Sequence, residues 1–403
     1  MKTLFTTYIN SFKGLNRAVW WLALITLINR AGTMVIPFMS LYLTEDLCFD
    51  LKQVGWVMSA FGAGSVIGSW LGGQLTDKIG YYKVMFISLL LSGFMFVGLQ
   101  YLQTFESLCL GIFALMIIAD MFRPAMFVAL GAYSKPENRT RSLTLIRLAI
   151  NLGFSAGPAV GGLIILTFGY PGLFWIDGFT CAIAGLLLIN VLSPKKAKAN
   201  PEVKVENPQS AYKDGLFWLF VVSLFLFAFV FLQYFSTVPL YYKDSFGMTE
   251  FEIGLILGAN GFLIFIFEMP LIKWLESSKY NKEWLIFIGA FFTMLSFLVL
   301  NISPWIGFVF IGMLFMTVGE MVAFPFANAF AMERAKKGNQ GQYMAFFSIS
   351  FSFAHIFGHN AGMQLIDNFG YFNTWNVMVV IALLTMLLVY ILMKKKQKEN
   401  SIT

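Results

Sequence analysis

Charge is scarce in this sequence. Only 12% of its 403 residues are Asp, Glu, Lys or Arg, 58% are hydrophobic, and the mean hydropathy is +0.73. A soluble core of this length cannot hide so much apolar side chain, which excludes a water-soluble enzyme and implies an integral membrane protein. Cysteine is almost as rare: Cys48, Cys109 and Cys181 lie far apart, with neither a disulfide framework nor metal-ligand spacing. Histidine occurs twice, at His355 and His359. No stretch fits GxxxxGK[ST], so ATP hydrolysis within the chain is not expected and no cofactor is implied.

What is present is one long apolar run after another. A helix needs about 20 mostly apolar residues to cross the roughly 30 Å hydrocarbon layer. Twelve such spans are expected: 18–43, 52–73, 84–103, 107–132, 142–167 and 171–192, then 215–240, 250–275, 283–302, 304–332, 340–366 and 371–393. The first is too long for a signal-peptide core and lacks a small-residue cleavage pattern, so it is read as helix one. The fold class is therefore an all-α membrane protein with two six-helix, pseudo-symmetric bundles around a central cavity. Its expected domains are 1–192, a cytoplasmic linker at 193–214, and 215–403 with a short basic tail.

Orientation follows from Lys and Arg, which short loops retain on the cytoplasmic side. With both termini inside, that side holds Lys2, Lys13, Arg17, Lys78, Lys83, Lys135, Arg139, Arg141, Lys195, Lys196, Lys198, Lys336, Lys337 and Lys394 to Lys396. Only Lys52 and Lys243 fall in outer loops. Topology thus accounts for the net charge of +7 and leaves nothing for a nucleic-acid partner to explain.

The two halves repeat at an offset near 200 residues. GPAVGGLIILTFGY from Gly157 lines up with GHNAGMQLIDNFGY from Gly358, matching Gly157 with Gly358 and Gly161 with Gly362. VGWVMSAFG from Val54 resembles IGLILGANG from Ile253. IADMFRP from Ile118 aligns with TVGEMVAFP from Thr317 when one residue is inserted before the proline, so Asp120 corresponds to Glu320 and Pro124 to Pro325. Two halves repeated in the same orientation are related by an axis along the membrane normal, with equivalent helices around a shared cavity.

A charge at the bilayer centre costs several kcal/mol, so such groups face a partner or a wet cavity. The candidates of this kind are Arg30, Asp120, Arg123, Asp177, Glu268 and Glu320, together with His355 and His359. Asp120 and Arg123 share a helix face at i,i+3 and can pair. Either they form a structural ion pair, or they line the transport path. Glu320 has no basic neighbour within a turn, so its partner is expected from another helix, with Arg30 or Arg123 the obvious choices. Glu320 and Asp120 are the candidates for carrying a proton; Arg30, Arg123, His355 and His359 are candidates for binding substrate. His355 and His359 share a face at i,i+4, but no third ligand accompanies them, so no metal is expected. Asp177 and Glu268, nearer helix ends, read as packing or gating groups.

The segment GQLTDKIGYYK, from Gly73 to Lys83, resembles the signature loop of the major facilitator superfamily, in which Gly73, Asp77, Lys78, Gly80 and Lys83 match and Tyr81 and Tyr82 replace the usual basic residues. The resemblance implies a gate loop: Gly73 permitting close helix contact, Gly80 supporting a tight turn, and Asp77 accepting hydrogen bonds or pairing with an arginine. GFSAGPAVGG, holding Gly153, Gly157, Pro158, Gly161 and Gly162, is similar to the helix-five motif of drug:proton antiporters, where Gly-Pro bends the helix and small residues let it pack tightly as a seal against leak. ADMFRPAM, INLG with Asn151, and VGEMVAFP look like helices four, five and ten of proton-coupled oligopeptide transporters, which adds Asn151 to the substrate-binding candidates. Thr26 and Asn29 stand where that group has acids in helix one, which favours the antiporter group. The expected function is alternating-access, proton-coupled efflux of a small amphipathic or drug-like compound by a monomer in the cell membrane. A peptide-type symporter and a non-transporting membrane receptor are the alternatives.

Overall fold

The computed structural model describes residues 14–135, 138–194, 210–277, 280–303, 305–335 and 340–402, and among them all regular structure is helical. Helix one runs Arg17–Ala31 and resumes as Val35–Leu41; helix two is Leu51–Ile79 and helix three Tyr81–Leu99. Helix four has two pieces, Phe105–Asp120 and Phe122–Tyr133. Helix seven comprises Gly215–Phe231, a 3₁₀ turn at Leu232–Phe235, and Thr237–Phe246. Helices eight, nine and ten are Glu250–Glu276, Lys282–Leu300 and Gly307–Ala335.

The remaining four helices come in two double-length stretches, Arg139–Val191 and Gln340–Ile402. The first, with 53 residues, would be about 80 Å long if straight, far more than a bilayer core can hold. It breaks at Gly169, whose φ of 71° a side chain would resist, and the second breaks at Gly370 with φ 72°. These breaks divide helix five from six and eleven from twelve. Twelve crossing segments result, as expected.

By their contacts the residues form two compact units: 1–36 with 64–201, and 37–63 with 202–403. In the first, Leu22, Ile25, Met85, Phe122, Ile146 and Leu188 are among the buried core. The second is packed largely with aromatics, Phe220 lying 4.6 Å from Phe330 and Phe217 4.6 Å from Tyr343 between ring centroids. Large apolar side chains such as Trp70, Phe94 and Phe168 are left exposed, which hydrocarbon accommodates and water would penalise.

The repeat is visible in the backbone. Helices one and seven, the first of each half, both lose their regular ladder after a first long piece, beyond Ala31 and beyond Phe231. The breaks at Gly169 and Gly370 are 201 positions apart. Gly157 lies against the backbone of Ala31 in helix one, as Gly358 does against Phe229 in helix seven. Helices four and ten differ: four is interrupted before Pro124, whereas ten runs through Pro325. Pro124 has no N–H for the carbonyl of Asp120 and its ring crowds that oxygen; the Ser88 hydroxyl donates to the nearby carbonyls of Ile118 at 2.7 Å and Ala119 at 3.3 Å.

Helix one's second piece has its own cap. Asp177 of helix six, fully buried, accepts from the amides of Met34 and Val35 at 2.9 Å and so satisfies the start of Val35–Leu41. This packing role is the one expected of Asp177.

The expected basic tail is not a loose end. Helix twelve continues to Ile402, and its extension is bonded: Lys396 donates to Glu283 at 2.5 Å and Glu333 at 3.1 Å, and Glu399 accepts from Arg334 at 2.6 Å. Arg334 also grips Asp214, the N-cap of helix seven, at 2.6 and 2.8 Å. Lys2, Lys13, Lys195, Lys196, Lys198, Lys336, Lys337 and most of the linker lie outside the described residues, as does the side chain of Arg139.

Candidate functional site

Within the first unit, Arg30 sits one residue before the end of helix one's long piece, half-buried, with its guanidinium 5.7 Å from the ring of Phe154 in helix five. The two helices touch through glycine: a Cβ on Gly153 would fall 2.6 Å from Cβ of Arg30 and 2.9 Å from N of Ala31. Close packing thus fixes where Arg30 stands. The charges whose fields reach it are Asp120 and Arg123 of helix four. Asn151 lies one turn before Phe154 on helix five, half-buried.

Asp120 does not pair with Arg123. Ser65 of helix two donates its hydroxyl to the Asp120 carboxylate, while Arg123 lies exposed with no ion pair to Asp120. The i,i+3 spacing allowed the pair, but a hydroxyl from the neighbouring helix claims the carboxylate. A glycine stripe brings that helix in: a Cβ on Gly64, Gly68 or Gly72 would meet helix-four backbone at 2.5, 2.4 and 2.6 Å. Arg30, Asp120 and Arg123 are thus two cations and one carboxylate with no ion pair among them, a set with chemistry for an anionic group.

The helix-five motif lies inside the helix and packs on helix one. Gly153, Gly157, Pro158, Gly161 and Gly162 are buried, and in Arg139–Val191 the residue with non-helical φ/ψ is Gly169. Gly153 and Gly157 give close approach to helix one, the tight packing by small residues that the antiporter motif implies.

In the signature loop, Gly80 has φ 87°, a conformation natural to glycine, and it starts helix three. Gly73 does not make the close contact expected of it: a Cβ there would meet nothing within 4 Å, and Gly72, one position earlier, is the glycine packed on Met121. Asp77, Lys78 and Lys83 are exposed, and Asp77 has neither the hydrogen bond nor the arginine expected of it among the described residues.

In the second unit, Glu320 of helix ten meets helix eight. The partner is an amide in place of the expected arginine: Asn260 Nδ2 lies 3.5 Å from the Glu320 carboxylate and donates to the Thr317 hydroxyl at 2.9 Å. Glu268, two turns from Asn260 on helix eight and only 4% exposed, adds a like charge whose field reaches Glu320. His355 and His359 of helix eleven lie with Nδ1 of one 3.2 Å from Nε2 of the other, beside Phe61. Among the described residues no three His, Cys, Asp or Glu side chains could hold a metal ion. Sequence inspection missed Ser65, Asn260 and Thr317, whose signal is a polar residue inside an apolar run, and it passed over Arg147, a half-buried cation on helix five.

The Major Facilitator Superfamily profile matches residues 22–359. The chain is 21% identical over 362 residues to the Na(+), Li(+), K(+)/H(+) antiporter of Planococcus maritimus, covering 81% of this chain and 84% of that protein. It is 23% identical over 357 residues to the multidrug resistance protein MdtH of Aeromonas salmonicida, covering 86% and 87%. In fold it is similar to a POT family transporter crystallised with 5-aminolevulinic acid, at a TM-score of 0.81 and 16% identity, covering 95% of this chain and 97% of that one.

Proposed function

Because the chain belongs to the major facilitator superfamily, and is thus a multi-pass membrane transporter and not an enzyme, we propose that it exchanges protons for a small amphipathic or drug-like compound by alternating access. In this reading the segments 1–192 and 215–403 are the moving halves, 193–214 joins them, and the chain works as a monomer with both termini in the cytoplasm. Glu320 takes up and releases the proton, with Asp120 as the second candidate. Arg30 and Arg123 bind the polar end of the solute, and Gly73 to Lys83 latches the cytoplasmic side.

The observation that carries this is the setting of Glu320. Its bonded neighbour is a neutral amide, and the nearby charge is another carboxylate. Such a group can gain a proton without breaking an ion pair, and taking it up relieves repulsion, which suits a carrier that must load and unload in each cycle. The antiporter and multidrug relatives support exchange over the alternative of symport.

The test uses purified protein in liposomes with the amphipathic anion 8-anilinonaphthalene-1-sulfonate as the probe. An acid interior should drive dye inward, above protein-free vesicles, and nigericin, which collapses the gradient, should abolish the effect. Uptake driven by an acid exterior would point to symport, and no driven flux in either direction would favour a receptor.

A further inference from the structure

His355 and His359 stand one helical turn apart on helix eleven, and what lies on them is the first part of helix two. Three small side chains of helix two seat it there. The Ser59 hydroxyl donates to the carbonyl of Ile356 at 2.7 Å, a Cβ on Gly62 would lie 2.7 Å from the carbonyl carbon of His355, and one on Gly55 would lie 3.2 Å from Cα of Asn360. Phe61 closes over the pair, its ring centroid 5.7 Å from His355 and 6.4 Å from His359. All of these residues belong to one compact unit.

We propose that the His355–His359 pair is a proton-responsive lock, which holds residues 51–63 of helix two on helix eleven while the pair is neutral and releases them when it binds an added proton. In the neutral pair a single hydrogen fills the 3.2 Å between Nδ1 of His355 and Nε2 of His359. His359 is 2% exposed, and its other nitrogen, Nδ1, has no hydrogen-bond partner among the described residues. A bare lone pair is tolerated there. An added proton creates a charge and puts a donor where nothing accepts it, at a cost that only water or a turned ring can relieve. The rings cannot turn in place, because helix two lies at backbone contact distance on residues 355, 356 and 360, and close-packed contacts pass displacement on.

The charged groups on the packed elements leave this response to the imidazoles. Within residues 51–63 of helix two the charge is Lys52, paired with Asp367 two turns further along helix eleven at 3.4 Å; Asp77 and Lys78 lie at the helix's far end. Helix seven meets helix eleven through neutral Gln233, which donates to the carbonyl of Gly358 at 2.9 Å; its own charges are Lys243, paired with Glu250, and Asp244, which accepts from Tyr371. Helix one contributes Glu45 and Asp46, beyond Leu41. Helix ten packs on helix eleven through Phe324 and Phe351, and its Glu320, one turn from Phe324, has Asn260 as its bonded neighbour. None of these groups pairs with His359. The lock is independent of the role proposed for Glu320.

Spin labels at Trp56 and Phe357, which are 58% and 55% exposed, leave the packed faces intact and report the separation of the two helices. Between pH 8 and pH 4, a window that reaches below the ordinary histidine range to allow for the cost of the buried charge, the short-distance population should be lost in the protein with both histidines and persist at both pH values in His359→Gln. His355→Gln serves as the second variant should His359→Gln not fold. An unchanged distance distribution in the protein with both histidines overturns the proposal, as does an undiminished pH response in either variant. The same measurement in Glu320→Gln separates the two readings: loss of the response there assigns it to Glu320 and overturns the lock, while its survival supports the lock whatever becomes of coupled transport.

Discussion

Asp214 shows how much one side chain can gather. It caps helix seven by accepting from the Phe217 amide at 3.1 Å, takes two bonds from Arg334, and accepts from the Tyr343 hydroxyl at 2.9 Å. Burial alone would push its carboxyl up; these bonds outweigh burial and hold it below the usual carboxylate range. A carboxyl lowered on folding adds stability that is complete above its unfolded value of about 3.9 and fades as pH falls through the lower folded value. Asp214→Asn should therefore lower the unfolding temperature by the same amount from pH 5 to pH 8, and by less below pH 4. Breaking a buried pair costs about 3–5 kcal/mol, so the drop should be plain in a thermal melt. A difference that shrinks already between pH 8 and pH 5 would contradict this assignment. At this scale the sequence is uneven evidence. Asp120 and Glu320 stand out in one dimension because a charge in an apolar run is conspicuous, but Ser65 and Asn260 do not, since hydroxyls and amides recur in such helices and packing alone selects the pair that meets a carboxylate. Gly73 was mistaken for its neighbour Gly72 because one position turns a helix by about 100°, and no alignment of letters reveals which of two adjacent glycines faces the contact.

Between elements, small residues set the distances. Gly64, Gly68 and Gly72 recur every fourth position along one face of helix two, and helix four lies directly on them. Gly68→Leu would place a Cβ 2.4 Å from the Ile117 carbonyl oxygen, which cannot move aside as a side chain can. Overpacking of this kind costs about 1–3 kcal/mol or more. Gly68→Leu should lower thermal stability and weaken the Ser65–Asp120 bond, whereas Gly73→Leu, with nothing within 4 Å, should leave stability near that of the parent; equal losses would contradict the assignment of the contact face. Twelve spans were legible because apolar length is a local property. The interruption of helix one after Ala31 was not: it depends on Asp177, 143 positions away, to bond the amide of Met34. The same holds for the end of helix twelve. Lys396 and Glu399 read as a polar tail until Glu283 and Arg334 supply the opposite charges.

Over the whole molecule the repeat is the strongest link between sequence and structure. Phe-Gly-Tyr at 168 to 170 and at 369 to 371 repeats as letters, and its two glycines repeat as a backbone break at the same place in each half. The halves have nevertheless diverged in chemistry. The first holds two arginines around one hydroxyl-bonded carboxylate, the second a carboxylate beside an amide with a further acid near. On the function proposed, the first suits the anionic end of a solute and the second a proton. Glu320→Gln in liposomes tests that division of labour most directly. The variant should still bind 8-anilinonaphthalene-1-sulfonate and exchange it across the membrane in counterflow, but should no longer accumulate it against a pH gradient. Accumulation at the parent level would contradict the account.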